Sequence, residues 1–184
     1  MKTLIFNGSP RKMGDTVSLI NILRDRLHGE VKIVDCYRVD VAPCIDCRNC
    51  RGSLMCPIDD DMQEIYQYIE DCDNIVIASP IYYSELTGRL LDAASRLQMY
   101  FSARFFRNET PHIKPKKGAV ILVGGGNGNP QKAFDTAVCI LHTVNAYDIH
   151  PLVCSHNTDN IPAAMDEIAV GGLQNIADFF NCEI

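Results

Sequence analysis

The sequence predicts an α/β fold in which a parallel sheet is covered by helices on both faces, and three observations carry that prediction. Short apolar runs alternate with helical patterns, five of each, along the whole chain. Such alternation implies right-handed βαβ units. Two of the runs, Ile75–Ala78 and Val120–Val123, are continuously apolar, as strands buried on both faces are. A length of 184 residues with 47% hydrophobic content is enough for one domain with a sizeable core.

Taken in order, Lys2–Phe6 reads as the first strand and Thr16–Leu27 as a helix that ends before Gly29. Val31–Asp35 is the second strand. A cysteine-rich loop, residues 37–60, leads into a helix over Asp61–Ile69, where Met62, Ile65, Tyr66 and Ile69 recur at helical spacing. Asp59, Asp60 and Asp61 offer that helix an N-cap and favourable charge at its start. Asn74–Ser79 is a strand stopped by Pro80, followed by a helix over Thr87–Tyr100 and a strand over Gly118–Val123. Gln131–Asn145 is helical, Ile149–Cys154 is the fifth strand, and Pro162–Phe180 is a helix with proline at its start. No repeat or linker divides residues 1–184, so a single domain is expected. The long irregular stretches are 37–60 and 101–117, and loops of that length in a compact domain usually carry function.

The formal charge of −6 and the absence of any Lys/Arg cluster argue against nucleic acid as a partner. No apolar stretch approaches the ~18 to 20 residues that a membrane span needs, and the N-terminal apolar run is too short for a signal peptide. Nine cysteines, an odd number, point to a reducing, cytoplasmic setting rather than a disulfide framework.

Four of those nine cysteines, Cys44, Cys47, Cys50 and Cys56, fall within 13 consecutive residues as C-x2-C-x2-C-x5-C, closed by Pro57. Three thiolates at i, i+3 and i+6 let one loop wrap three corners of an iron–sulfur cube. The bacterial ferredoxin run shares this core and the trailing proline, with a shorter last gap. A [4Fe–4S] cluster is therefore the leading expectation, and structural zinc, which favours two separated C-x2-C knuckles, is the rival.

At the first strand–helix junction stands Asn7-Gly8-Ser9-Pro10-Arg11-Lys12-Met13-Gly14-Asp15-Thr16. The hydroxyls of Ser9 and Thr16, turn glycines and a helix start make an anion cradle to which Arg11 adds a fork of donors. Neither a Walker loop nor G-x-G-x-x-G is present there, and an ordinary polar turn is the alternative. Gly124-Gly125-Gly126-Asn127 follows the fourth strand. It reads either as a wall where backbone approaches a planar ligand or as a flexible turn.

Gly8-Ser9-Pro10-Arg11 with Gly14-Asp15-Thr16 resembles the phosphate loop of the NADPH-dependent FMN reductases and related iron–sulfur flavoproteins, which have a flavodoxin-like fold. The likeness runs on through the cysteines to Asp59-Asp60-Asp61-Met62, then through Ser79-Pro80-Ile81-Tyr82-Tyr83 and Thr87-Gly88-Arg89-Leu90. The resemblance implies a five-stranded doubly wound sheet of order 2-1-3-4-5, with FMN at the switch point between strands one and three. It further implies that Ser9, Arg11 and Thr16 hold the FMN phosphate, with Gly14 and Asp15 in the same loop, and that Pro80, Ile81, Tyr82 and Tyr83 line the isoalloxazine. The chain departs from the family pattern at Asp15, often Asn, and at Leu91 and Ser95, usually Lys and Asp.

The resulting expectation is an FMN-dependent oxidoreductase that takes electrons from NADPH or NADH and passes them, by way of the cluster if one is bound, to a small acceptor or a redox protein. No side-chain general base is expected, because the cofactor does the chemistry. The alternatives are a flavodoxin-like electron carrier without nicotinamide turnover and a structural zinc protein. Met99-Tyr100-Phe101 and Phe105-Phe106 carry more aromatic surface than an exposed loop should, so a homodimer or homotetramer is expected.

Overall fold

The computed structural model describes residues 1–182. Its strands are β1 (Lys2–Asn7), β2 (Glu30–Asp35), β3 (Asn74–Pro80), β4 (Lys116–Val123), β5 (Ala146–Ile149) and β6 (Val153–Ser155). Its helices are α1 (Asp15–Arg24), α2 (Met62–Asp71), α3 (Gly88–Ser95), α4 (Gln98–Phe106), α5 (Gln131–Thr143) and α6 (Glu167–Asn181). The sheet order is β2-β1-β3-β4-β5, with β6 also paired to β4, and every pairing of these strands is parallel. This is the expected order 2-1-3-4-5 with a sixth strand added.

Alternation along the central strands splits the core in two. Leu4, Phe6, Ile75 and Ile77 face one side with Met62, Ile65, Leu90 and Leu141. Ile5, Val76 and Ala78 face the other, against Leu19, Leu23, Leu173 and Phe180. Successive side chains of a strand point to opposite faces, so unbroken apolar runs feed both layers.

Two expectations are corrected. The expected fifth strand, Ile149–Cys154, is two short strands, β5 and β6, with His150-Pro151-Leu152 between them. Pro151 has no N–H to give the ladder. The His150 amide donates to the Gly118 carbonyl just before the break, and β6 then pairs with the distal half of β4. The expected helix Thr87–Tyr100 is likewise two helices, with the bend at Arg96-Leu97. The second of them, α4, takes in residues 101–106 that the sequence suggested were irregular. At the other end of the chain a 3-10 turn, Ala163–Met165, precedes α6, which Asp166 caps by accepting from the amides of Ile168 and Ala169.

The bend between α3 and α4 brings a charged residue inside. Arg96 is 2% exposed, and its guanidinium forms a two-pronged pair with Asp60, Nη1 to Oδ2 at 2.5 Å and Nη2 to Oδ1 at 3.1 Å. The same guanidinium donates to the carbonyls of Ala42 (2.9 Å) and Ile58 (3.3 Å). Asp60 in turn accepts from the amides of Ala42 and Met62. Burial by itself would raise the Asp60 pKa, but the Arg96 hydrogen bond and the two amides outweigh it and hold the carboxyl below its ordinary value. Its contribution to stability is therefore present above the ordinary carboxylate range and is lost as pH falls through the lowered pKa. Asp60→Ala leaves Arg96 buried and uncompensated, and equilibrium urea unfolding should show a loss of about 3–5 kcal/mol at neutral pH.

Candidate functional site: a phosphate-loop cleft and a cysteine cavity

A cleft opens beyond the carboxyl ends of β1, β3 and β4. It is lined by Ser9, Pro10, Arg11, Gly14, Asp15 and Thr16 on one side, Pro80, Ile81 and Tyr82 on another, and Val123, Gly125, Thr158 and Asp159 on the third. The phosphate loop is internally braced. The Ser9 amide donates to Asn7 Oδ1 at 2.9 Å, and the Arg11 amide to Ser9 Oγ at 3.3 Å. Gly14 is the N-cap of α1 and supplies no side-chain cap, so the helix start keeps amide donors for an anion. Thr16 is buried just inside that start. Asp15 has a structural partner: its Oδ1 accepts from the Ala163 amide at 2.8 Å.

Thr87, the N-cap of α3, fixes the loop from behind, with Oγ1 donating to the Gly8 carbonyl at 2.7 Å and its amide donating to Ser79 Oγ at 3.2 Å. A Cβ at Gly8 would stand 2.8 Å from Leu90 Cδ1 and 2.9 Å from Thr87 Oγ1, so no larger residue fits there without a shift. The glycine-rich loop is pinned by the chain after β6. The amides of Asn157 and Thr158 donate to the carbonyls of Gly126 and Gly124, and a Cβ on Gly125 would lie 2.7 Å from Asp159 Oδ2.

Most of the residues expected in this site meet in the one cleft. Tyr83, Gly124, Gly126 and Asn127 lie off its walls. Tyr83 is fully exposed at the tip of a tight turn closed by Tyr82 and Glu85, in which Tyr83 and Ser84 both have left-handed backbone (φ 53° and 60°). The Gly124 and Gly126 carbonyls are taken up by the neighbouring loop, so that stretch acts as a brace. Thr158 and Asp159 were not expected, because their approach depends on β6 lying beside β4.

All four cysteines of the run line a second cavity, together with Arg96, Ser102, Phe101 and Phe106. The loop winds through left-handed backbone at Asp46 (φ 49°) and Arg48 (φ 62°). Arg96 and Asp60 bracket its base. Arg107 clamps its far side by donating to the carbonyls of Cys50 and Ser53, and the Cys44 amide donates to Ser95 Oγ at 2.9 Å. The Cys50 thiol faces Ser102 Oγ at 3.2 Å. Among the described residues no three His, Cys, Asp or Glu groups converge on one point as a single metal ion requires. A cluster asks for something different, one thiolate per iron around a shared space. Arg96, one of the lining residues, carries a buried Nε–H without a partner.

Residues 1–159 match the family model of NADPH-dependent FMN reductase. The chain belongs to that family. It is 27% identical over 168 residues to an iron-sulfur flavoprotein of Methanocaldococcus jannaschii, covering 86% of this chain and 78% of the relative. An iron-sulfur flavoprotein of Methanosarcina thermophila is 32% identical over 141 residues, 74% of this chain and 70% of the relative. Among solved structures, the NAD(P)H:quinone oxidoreductase from Methanothermobacter marburgensis superposes with a TM-score of 0.77 at 14% identity, covering 100% of this chain and 98% of that one. An FMN-dependent NADH-azoreductase from Bacillus anthracis in complex with FMN gives 0.66 at 14% identity, covering 98% and 99%. At these identities the structural likeness speaks for the fold.

As a member of the NADPH-dependent FMN reductase family the protein is an oxidoreductase, and FMN with NAD(P)H is the cofactor and donor pair of the family. The phosphate-loop cleft fits the phosphate end of FMN on its own features: an uncapped helix start, hydroxyls at Ser9 and Thr16, and a guanidinium at Arg11. Arg11 is exposed, and its hydrogen bonds among the described residues run through its backbone to Ser9 rather than through its guanidinium, so its removal should leave the fold alone. Arg11→Ala should weaken FMN binding about tenfold or more, from loss of a charge-assisted contact worth roughly 1.5–3 kcal/mol. Fluorescence titration of the apoprotein checks this, and unchanged affinity would remove Arg11 from the phosphate site.

Proposed function

We propose that this protein transfers electrons from NAD(P)H, through FMN held at the phosphate loop and a [4Fe–4S] cluster held by Cys44, Cys47, Cys50 and Cys56, to a small acceptor or redox protein. The observation that carries the cluster half of this reading is that all four thiols of the run line one cavity, beside a buried donor without an acceptor. The names of the archaeal relatives point the same way. Bound FMN would supply hydride acceptance and one-electron release, and a bound cluster one-electron transfer.

The chain's own residues do the positioning. Ser9, Thr16, the α1 amides and Arg11 hold the phosphate end, while Tyr82 offers aromatic surface to the ring and Gly125 lets backbone approach closely. Thr87 ties the phosphate loop to α3, and α3 at its other end holds Cys44 through Ser95. No helix among the described residues is long and apolar enough to cross a membrane.

The partner we propose is a second copy of the chain. Phe101, Phe105 and Phe106 form an exposed aromatic cluster on α4, with Phe101 stacked on Phe105 at 5.3 Å. Ile45, Leu54 and Met55 of the cysteine loop are exposed as well, and Phe101 and Phe106 line the cysteine cavity, so pairing there would cover the cavity from water.

Anaerobic purification followed by iron, acid-labile sulfide and visible-spectrum measurements should give about four iron and four sulfide per chain, with flavin bands over a broad shoulder. Iron and sulfide near zero beside bound flavin would leave a flavin-only reductase. Light scattering at micromolar concentration should give a dimer or tetramer that Phe105→Asp dissociates, and a monomeric parent would sink the pairing.

A further inference from the structure

Arg96 has more hydrogen-bonding capacity than the fold uses. Its side chain is 0% exposed. Both terminal nitrogens are engaged, with Asp60, the Ala42 carbonyl and the Ile58 carbonyl. The Nε–H is buried without an acceptor, a condition that ordinarily costs about 1–3 kcal/mol. Arg96 also forms part of the cavity wall that carries Cys44, Cys47, Cys50 and Cys56. Its Nη2 donates to the carbonyl of Ile58, two residues after Cys56, and all three residues line the same wall.

The other cationic residues of this wall lie in the open: Arg48 is exposed and paired with Asp46, and Arg51 lies over the Phe106 ring at 4.3 Å. Ser102 Oγ lies 3.2 Å from Cys50 Sγ, where its neutral hydroxyl can donate once that sulfur is a thiolate. Among the described lining residues Arg96 combines a buried positive charge with a spare donor.

We infer that Arg96 is a positioning residue for the iron–sulfur cluster, its Nε–H donating to the Cys56 sulfur when that cysteine ligates the cluster, while its terminal nitrogens hold the loop closed. The inference rests on the cluster reading proposed above. An anionic sulfur is the acceptor that a buried cationic N–H lacks here, and a charge-assisted bond of this kind is stronger than a neutral one. Hydrogen bonds to cluster sulfurs and nearby charge set the reduction potential. A donor that favours the more negative, reduced state raises that potential, so the fold would tune the cluster with the same side chain that shapes its loop.

Arg96→Lys separates the two roles. Lysine places a methylene where Nε–H stands and brings its ammonium near the terminal-nitrogen position, where Asp60 can still pair with it. With iron and sulfide equal to the parent, the variant's cluster should titrate at a more negative midpoint in anaerobic spectroelectrochemistry, by a factor of ten or more in the redox equilibrium. For a one-electron couple that is 59 mV per factor of ten. An unchanged midpoint with a full cluster would overturn the inference while leaving the cluster reading intact. Iron and sulfide near zero in the parent would overturn the cluster reading, and the inference with it.

Should the variant fail to fold or to load, the parent alone decides. Labelled with arginine carrying 15N at Nε alone and reduced, it should show a hyperfine-coupled nitrogen and an exchangeable coupled proton in pulsed electron paramagnetic resonance. Neither signal from a loaded, reduced cluster would overturn the inference.

Discussion

The buried pair between Arg96 and Asp60 is the constraint on which the cysteine loop depends. Removing two charges from water is costly, and such a pair persists only when the geometry is good and the remaining donors and acceptors are met. Asp60 meets that condition with two amides, and Arg96 with two carbonyls besides the carboxylate. The four partners, Ala42, Ile58, Asp60 and Met62, flank the loop at its two ends. One guanidinium therefore closes the base of a loop whose large apolar residues, Ile45, Leu54 and Met55, face outward, and brings its thiols to one cavity. The Tyr66 hydroxyl, donating to the Arg96 carbonyl at 2.8 Å, fastens this arrangement to α2.

Departures from relaxed backbone gather around the same two clefts. Of the seven non-glycine residues with positive φ, Asp46 and Arg48 lie in the cysteine loop and Tyr83 and Ser84 beside the phosphate-loop cleft, and the other three are asparagines, which tolerate such backbone. Backbone of this kind persists where surrounding contacts over-determine it. Hydrogen bonds across the Tyr82–Glu85 turn and the Arg107 clamp on Cys50 and Ser53 supply such contacts. Rigid strands below and pinned loops above give each site a fixed shape, which suits chemistry carried by bound groups.

What the sequence revealed and what it hid divide along sequence distance. The phosphate loop and the cysteine spacing are local patterns, each contained in a few consecutive residues, and both were legible. The strand order followed from the family resemblance together with the rules of parallel sheets. The approach of Thr158 and Asp159 to Gly125 joins segments more than 30 residues apart and depends on the break at Pro151, so local periodicity could not show it. Arg96 left one faint signal. It shares helical spacing with Ala93 and Tyr100, both buried, and a charge on such a stripe must find a partner inside. The bend at Arg96-Leu97 was invisible because both helices have the same apolar rhythm on either side of it.

Helix α3 is pegged at both ends: Thr87 at its cap grips the Gly8 carbonyl, and Ser95 in its last turn receives the Cys44 amide. Eight residues at 1.5 Å each make it a spacer of about 12 Å between the phosphate loop and the cysteine loop. A residue added or removed would change that spacing by only about 1.5 Å but would turn Ser95 and Arg96 about 100° around the axis, away from both of their partners. The spacer is therefore far less forgiving in length than in composition. Its exposed positions, such as Arg89, can change residue by residue, while the count from Thr87 to Ser95 must stay.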